Sequence, residues 1–307
     1  MDLHPLIESL EVGVSPLHEC ALPVLVKRGI HFRLKRDDSL GGNVQGNKWR
    51  KLKYTLSALL QAGEGHVASF GGPYSNHLYA MASACARLNI LCTLFVRGYP
   101  GKQLTGTLQY CSSLGARVIF LSLSDYSRKE NVVFLTELSE KYGHMAFIPE
   151  GGSQTLAYRG VAELIHELPA DYTHLCVPVG TGGTLIGLAM AVPKHVGLLG
   201  FSTLKGIESD EHRIRKLSGN PNVRLVEVTG GKGYGRLTDE QAEYALQFWQ
   251  EHKILLDPVY TAPMLLEFER LVVNGEFSQG SRIVAIHTGG IQGWCGYSDR
   301  DPRNIIP

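Results

Sequence analysis

Between residues 66 and 148 short apolar runs alternate with helical periods without interruption, and this alternation limits the possible folds more than any other feature of the chain. His66-Val67-Ala68-Ser69-Phe70 reads as a strand stopped by Gly71-Gly72-Pro73. Helices are expected over 76–88, 103–114 and 129–142, and strands over 90–96, 117–121 and 146–148. Strands that alternate with helices pair in parallel through right-handed crossovers. Such sheets bind ligands at the carboxyl ends of their strands.

The same rhythm returns after Pro149-Glu150-Gly151-Gly152-Ser153. Helices are expected over 157–168, 185–192, 238–252 and 262–273, with a polar helix after the strand at 198–202. Strands are expected over 174–179, 198–202 and 282–287. Ahead of the alternating run, residues 31–35 read as a strand and 50–62 as a helix, and residues 1–30 read as irregular around Pro5, Pro16 and Pro23. There is no internal repeat and no linker-like stretch. A second domain would therefore be an insertion rather than a bead on a string.

Composition excludes several classes. The 307 residues are 44% apolar and 19% charged, values of a globular protein with a substantial core. A net charge of +1 leaves no footprint for nucleic acid or an anionic membrane. No apolar run reaches the length of a membrane span, and Met1-Asp2-Leu3-His4-Pro5 does not resemble a signal peptide. The six cysteines form no CxxC pair and read as reduced, buried thiols of a cytoplasmic protein. No histidine spacing suggests a metal site.

Several stretches carry chemistry. Lys48 stands in Gly46-Asn47-Lys48-Trp49-Arg50-Lys51-Leu52, after a glycine-rich stretch and ahead of the helix expected from Arg50. A lysine held there can be desolvated, lose its proton and form a Schiff base with a carbonyl cofactor. Lys51 and Lys53 read as surface charges. Gly180-Thr181-Gly182-Gly183-Thr184 lies between a strand and a helix. Its converging N–H groups and the helix N-terminus make an anion cup suited to phosphate, with a tight strand–helix turn as the alternative. It is neither a Walker loop nor a dinucleotide fingerprint. Ser75, Asn76 and His77 gather at a strand end, where Ser and Asn serve as helix caps or bind a carboxylate or phenolic oxygen. Tyr234, between Gly233 and Gly235, is expected to face a site. Tyr260 is either core or acid/base. His287-Thr288-Gly289-Gly290 ends the last strand, where a hydroxyl can meet a cofactor heteroatom.

A Schiff-base lysine, a phosphate cup and a terminal-strand hydroxyl together suggest pyridoxal 5'-phosphate. The chain also resembles the 1-aminocyclopropane-1-carboxylate deaminase / D-cysteine desulfhydrase family. The resemblance rests on Lys35-Arg36-Asp37-Asp38, Gly46-Asn47-Lys48 with Arg50-Lys51-Leu52, Gly71-Gly72 with Ser75-Asn76-His77, and Phe147 to Ser153. It continues through the glycine-threonine loop, Gly233-Tyr234-Gly235, Leu256 to Thr261 and His287 to Gly290, in order over nearly the whole chain. It implies an α/β protein of the tryptophan synthase β-like pyridoxal phosphate fold, type II, with two open parallel-sheet domains. The smaller, 53–148, would be inserted into the larger, 1–52 and 149–307, with the cofactor between them.

By position, the resemblance makes Lys48 the Schiff-base lysine and the Cα base. Asn76 would face the cofactor's phenolic oxygen, and Ser75 the substrate carboxylate. Gly180, Thr181, Gly182, Gly183 and Thr184 would hold the phosphate. His77, Tyr234, Tyr260 and Thr261 would line the substrate, and Thr288 would approach the pyridine nitrogen. In the family's deaminases a glutamate follows the second tyrosine and a leucine stands in the last motif, whereas the desulfhydrases carry threonines, as this chain does at Thr261 and Thr288. His77, where the deaminases tend to carry glutamine, agrees.

The activity this implies is β-elimination on a small amino acid, D-cysteine first, by a cytoplasmic homodimer that binds no metal, nucleic acid or membrane. Ring opening by a deaminase, elimination or racemisation on another small D-amino acid, and a pyridoxal phosphate-binding protein without turnover are the alternatives. Pro73-Tyr74 and Trp294 depart from the family pattern and are candidates to reshape the pocket.

Overall fold

The chain's computed structural model describes residues 2–10, 12–44, 46–99, 101–203, 208–229 and 235–305. Among them, ten strands form two sheets. The larger takes β1 (Leu17–Glu19), β2 (His31–Arg36), β7 (His174–Val179), β8 (Gly197–Ser202), β9 (Val223–Glu227) and β10 (Arg282–His287), in the order β1-β2-β10-β7-β8-β9. The smaller takes β3 (His66–Gly71), β4 (Leu91–Arg97), β5 (Arg117–Leu121) and β6 (Ala146–Ile148), in the order β5-β4-β3-β6. All pairs are parallel except β1 with β2, where Leu17 faces Lys35.

Helices α1 (Pro5–Glu8) and α2 (Pro23–Lys27) precede β2, and α3 (Gly46–Gln61) leads into the smaller sheet. There α4 (Asn76–Leu88), α5 (Gly106–Ser113), α6 (Leu123–Ser127) and α7 (Val132–Tyr142) join the strands. The larger sheet is joined by α8 (Thr155–Ala162), α9 (Gly183–Ala191), α10 (Glu208–Ser218), α11 (Asp239–His252) and α12 (Thr261–Val273), and α13 (Pro302–Ile305) follows near the end.

Period-two alternation explains how both faces of each sheet are buried. In β10, Ile283 and Ala285 join a core with Phe32, Phe201, Phe268 and Trp294, while Val284 and Ile286 join the opposite core with Val177, Ile186 and Leu198. The smaller sheet divides likewise. Val67, Leu94 and Val96 face α4, and Ala68, Phe70 and Phe95 face α6 and α7, with Phe70 and Phe95 stacked 5.3 Å apart.

Several elements depart from expectation for local reasons. Pro5 and Pro23 start short helices, where a missing N–H costs nothing, so residues 1–30 are less irregular than their prolines suggest. The helix expected over 129–142 starts three residues later, at Val132, because Asn131 accepts from Phe134 N (3.0 Å) and caps α7; the short α6 ahead of it is not expected from the sequence. Thr105 likewise caps α5, three residues later than expected. Five of the cysteines are buried, but Cys295 is exposed, which corrects the expectation for that thiol. Trp294 is buried in the larger core, its indole N–H on Leu256 O (2.8 Å), and packs there rather than in a pocket. No helix among the described residues is long and apolar enough to cross a membrane.

Candidate active site

The first turn of α3 is where the two sheets meet. Helix α3 begins at Gly46, four residues ahead of expectation, so Lys48 lies inside the helix rather than in the loop before it. Gly46 has φ +72°, and a Cβ there would collide with the backbone oxygen of Thr288. Asn47 N donates to that same oxygen (3.2 Å). The turn after β10 is thereby docked on the turn carrying Lys48, with Thr288 buried between them. Behind α3, Arg50 is fixed to Asp37 by two bonds (2.8 and 2.9 Å) and to Glu167 (2.7 Å), and Lys35 also reaches Glu167 (2.6 Å). This buried network sets the helix against β2 and the segment after α8.

Lys48 is half-buried, and its amine donates to Asn47 Oδ1 (3.2 Å). Burial lowers its pKa to about 8, against the pull of Asp257, which favours the charged form. Lys51 is not the surface charge its sequence suggests. It is 1% exposed, and its amine donates to Gly151 O and to Ser153 Oγ (2.9 Å). Burial and the neighbouring Lys48 push its pKa well below the usual lysine range. The missed signal was spacing: three residues along a helix put Lys51 on the same face as Lys48. Lys53, by contrast, pairs with Glu163 near the surface.

The cup at 180–184 closes around Lys51. Gly182 adopts φ +80° and starts α9 with no side chain capping its N–H groups. A Cβ on Gly183 would lie 2.9 Å from Lys51 Nζ and overlap Ser153 Oγ. The Ser153 and Thr181 hydroxyls are 2.8 Å apart, and Thr184 Oγ1 accepts from Asn47 Nδ2 (2.8 Å). Gly180 lies beneath Tyr260, whose hydroxyl would sit 3.1 Å from a Cβ there.

From the smaller sheet, Ser75 caps α4 by accepting from Leu78 N (3.3 Å). Asn76 Oδ1 accepts from Gln292 Nε2 (2.6 Å), and only a glycine at 290 leaves room for the Asn76 amide. Gln292, in the stretch after the last glycine pair that departs from the family pattern, has no role assigned from sequence; its bond to Asn76 gives it one. His77 is 2% exposed. Ser69 Oγ donates to Ile148 O (2.7 Å), so the hydroxyl accepts from His77 Nε2 (2.8 Å), and Nδ1 is left as a buried acceptor with no partner. Burial and the two lysines hold this imidazole neutral. Thr261 is buried, with its hydroxyl 3.4 Å from His287 Nδ1. Tyr234, with Gly233, lies outside the described residues.

Two mutually repelling lysines, an uncapped helix N-terminus and a pair of hydroxyls form a concentration of donors suited to a dianion. An amine with a lowered pKa stands next to it, ready for a carbonyl. Pyridoxal phosphate offers both groups in one molecule, so the residues present fit it.

The comparisons with known proteins agree. The family model for pyridoxal-phosphate dependent enzymes matches residues 8–289. A putative 1-aminocyclopropane-1-carboxylate deaminase of Thermotoga maritima is 31% identical over 295 residues, covering 89% of this chain and 93% of the relative. The mitochondrial bifunctional D-cysteine desulfhydrase/1-aminocyclopropane-1-carboxylate deaminase of Arabidopsis thaliana is 28% identical over 315 residues, covering 91% and 77%. The crystal structure of an ACC deaminase homologue superposes with a TM-score of 0.80 at 26% identity, covering 99% of this chain and all of that one. Threonine deaminase isoform 2 of Solanum lycopersicum shares the fold with a TM-score of 0.68. The chain is therefore a fold type II member of the pyridoxal-phosphate-dependent enzyme family, in its 1-aminocyclopropane-1-carboxylate deaminase/D-cysteine desulfhydrase branch.

Proposed function

We propose that this enzyme catalyses β-elimination on a small D-amino acid, D-cysteine first, giving pyruvate, hydrogen sulfide and ammonia. The observation that carries this reading is threonine at both 261 and 288, together with a Lys48 amine whose pKa is lowered by burial to about 8.

Pyridoxal phosphate, when bound, supplies an electron sink for negative charge at the substrate Cα. Its phosphate would be held by Gly180, Thr181, Gly182, Gly183 and Thr184, with Lys51 and Ser153. Lys48 would hold its carbonyl carbon and, once displaced by the substrate amine, remove the proton from Cα. Asn76, steadied by Gln292, would face the phenolic oxygen. Ser75 already accepts from Leu78 N, which leaves its own proton to donate to the substrate carboxylate. The backbone at His77 continues that donor set. Tyr260 and Tyr234 would face the substrate, and Thr288 the pyridine nitrogen.

Threonine at 261 and 288 favours elimination over ring opening. A carboxylate beside the pyridine nitrogen would keep it protonated and strengthen the sink, whereas a hydroxyl leaves it largely neutral. Opening a cyclopropane offers no good leaving group and needs the stronger sink; expelling sulfide needs less. We also infer that the domains follow the two sheets, 53–148 against 1–52 and 149–307, in a cytoplasmic homodimer.

The test is turnover on a panel of D-cysteine, L-cysteine, β-chloro-D-alanine and 1-aminocyclopropane-1-carboxylate. The reading expects pyruvate and sulfide from D-cysteine at the highest kcat/KM. Preferred formation of 2-oxobutanoate from the cyclopropane would assign the chain to the deaminases instead.

A further inference from the structure

Asp257 is fully buried, yet it lies outside every group assigned above. Its carboxylate accepts from three consecutive backbone donors: Val259 N and Tyr260 N on Oδ1 (both 3.0 Å) and Thr261 N on Oδ2 (2.6 Å). Ala262 N adds a bond to the Asp257 backbone oxygen (3.0 Å). The turn from 257 to 261 is therefore wound around one side chain at the start of α12. Tyr260 has φ −123° and ψ −60°, and no side chain at that cap position makes the usual capping bond. Asp257 does that work from three residues upstream.

Two consequences follow for the site. The capped turn is what places the Tyr260 hydroxyl over Gly180, at the rim of the phosphate cup. The same carboxylate is the anionic group acting on the Lys48 amine. Among the described residues, Lys51 on α3 and His77 on α4 also interact with that amine, and neither offers it an opposing charge. Three backbone N–H bonds already occupy most of the Asp257 lone pairs, so the side chain is held in one place.

We propose that Asp257 is a positioning residue for this active site, winding the 257–261 turn so that Tyr260 is held over the phosphate cup, and acting electrostatically on Lys48. Fully buried and bonded to its own turn, Asp257 acts through Tyr260 and through the field at Lys48.

The test uses Asp257→Asn and Asp257→Glu. In cofactor-free protein, the pH dependence of Lys48 acetylation by acetic anhydride is read by peptide mass. Native protein should give a midpoint near the lysine value of about 8. Asp257→Asn removes the charge that favours the ammonium form, so its midpoint should fall. In holoenzyme, Asp257→Glu keeps the charge but displaces the turn. Its kcat on D-cysteine should drop, roughly 100-fold for a misplacement on the scale of 1 Å, while cofactor affinity by spectral titration changes less than about threefold. An unmoved midpoint in Asp257→Asn, or native kcat in Asp257→Glu, overturns the proposal. If the Asn variant does not fold, the Glu variant decides alone. The acetylation arm involves no turnover, so it stands even if D-cysteine is not the substrate.

Discussion

At the scale of the residue, the site depends on lysines held away from their ordinary charge state. Lys48 is displaced from a normal value of 10.5 to about 8, and burial outweighs the opposing pull of Asp257. Only the neutral amine attacks a carbonyl, and the neutral form predominates above the pKa. The rate at which cofactor-free protein takes up pyridoxal phosphate should therefore rise about tenfold per pH unit below 8 and level off above it. A stopped-flow absorbance series across pH checks this, and a rise continuing past pH 10 would show an unperturbed lysine. Lys48 could be singled out from its sequence, because a glycine-rich lead-in sets it apart. Lys51 is legible only through its i+3 spacing from Lys48, since a charged residue on a helix does not by itself show whether its face meets solvent or Ser153. Asp257 was also illegible in its role, because three bonds to one side chain become visible only once the turn is wound.

At the scale of the element, the start of α3 decides whether a site exists. The helix begins at Gly46 in a left-handed conformation, pressed on the Thr288 carbonyl. Gly46→Ala adds about 1–2 kcal/mol of backbone strain as well as a collision with the turn after β10. The variant should keep its far-UV circular dichroism but bind pyridoxal phosphate at least roughly tenfold more weakly, since that strain falls on the turn bearing Lys48. Native affinity would mean that the two turns need not touch. The helix start was misjudged from sequence because Asn47 and Trp49 are neither breakers nor strong formers, so the apolar period first becomes visible beyond them. Elements with a strong period, such as β3, α4 and β10, fall within a residue of expectation. The late start of α7 is hidden because Asn131 reads equally well as a cap or as a helix surface residue.

At the scale of the whole molecule, two parallel sheets place their strand ends around one helix turn. Gly71 and Ile148 end strands of the smaller sheet, and Val179 and His287 end strands of the larger. Each is followed by a turn that contributes to the site. This convergence was legible in outline, since alternating strands and helices imply where ligands bind. The junction itself was not, because Gly290 making room for Asn76 and Arg50 bridging Asp37 and Glu167 join residues far apart in sequence.

The account's central claim is that Lys48 both carries the cofactor and moves the substrate proton. One measurement tests it most directly. Purified protein and Lys48→Ala are each mixed with pyridoxal phosphate and then with D-cysteine, while visible absorbance and released sulfide are followed in one tube. The account predicts a protein-bound visible band in the native protein that changes on addition of D-cysteine as sulfide appears, and neither event in the variant. Sulfide release at the native rate from Lys48→Ala, or a native protein that forms no such band, would contradict it.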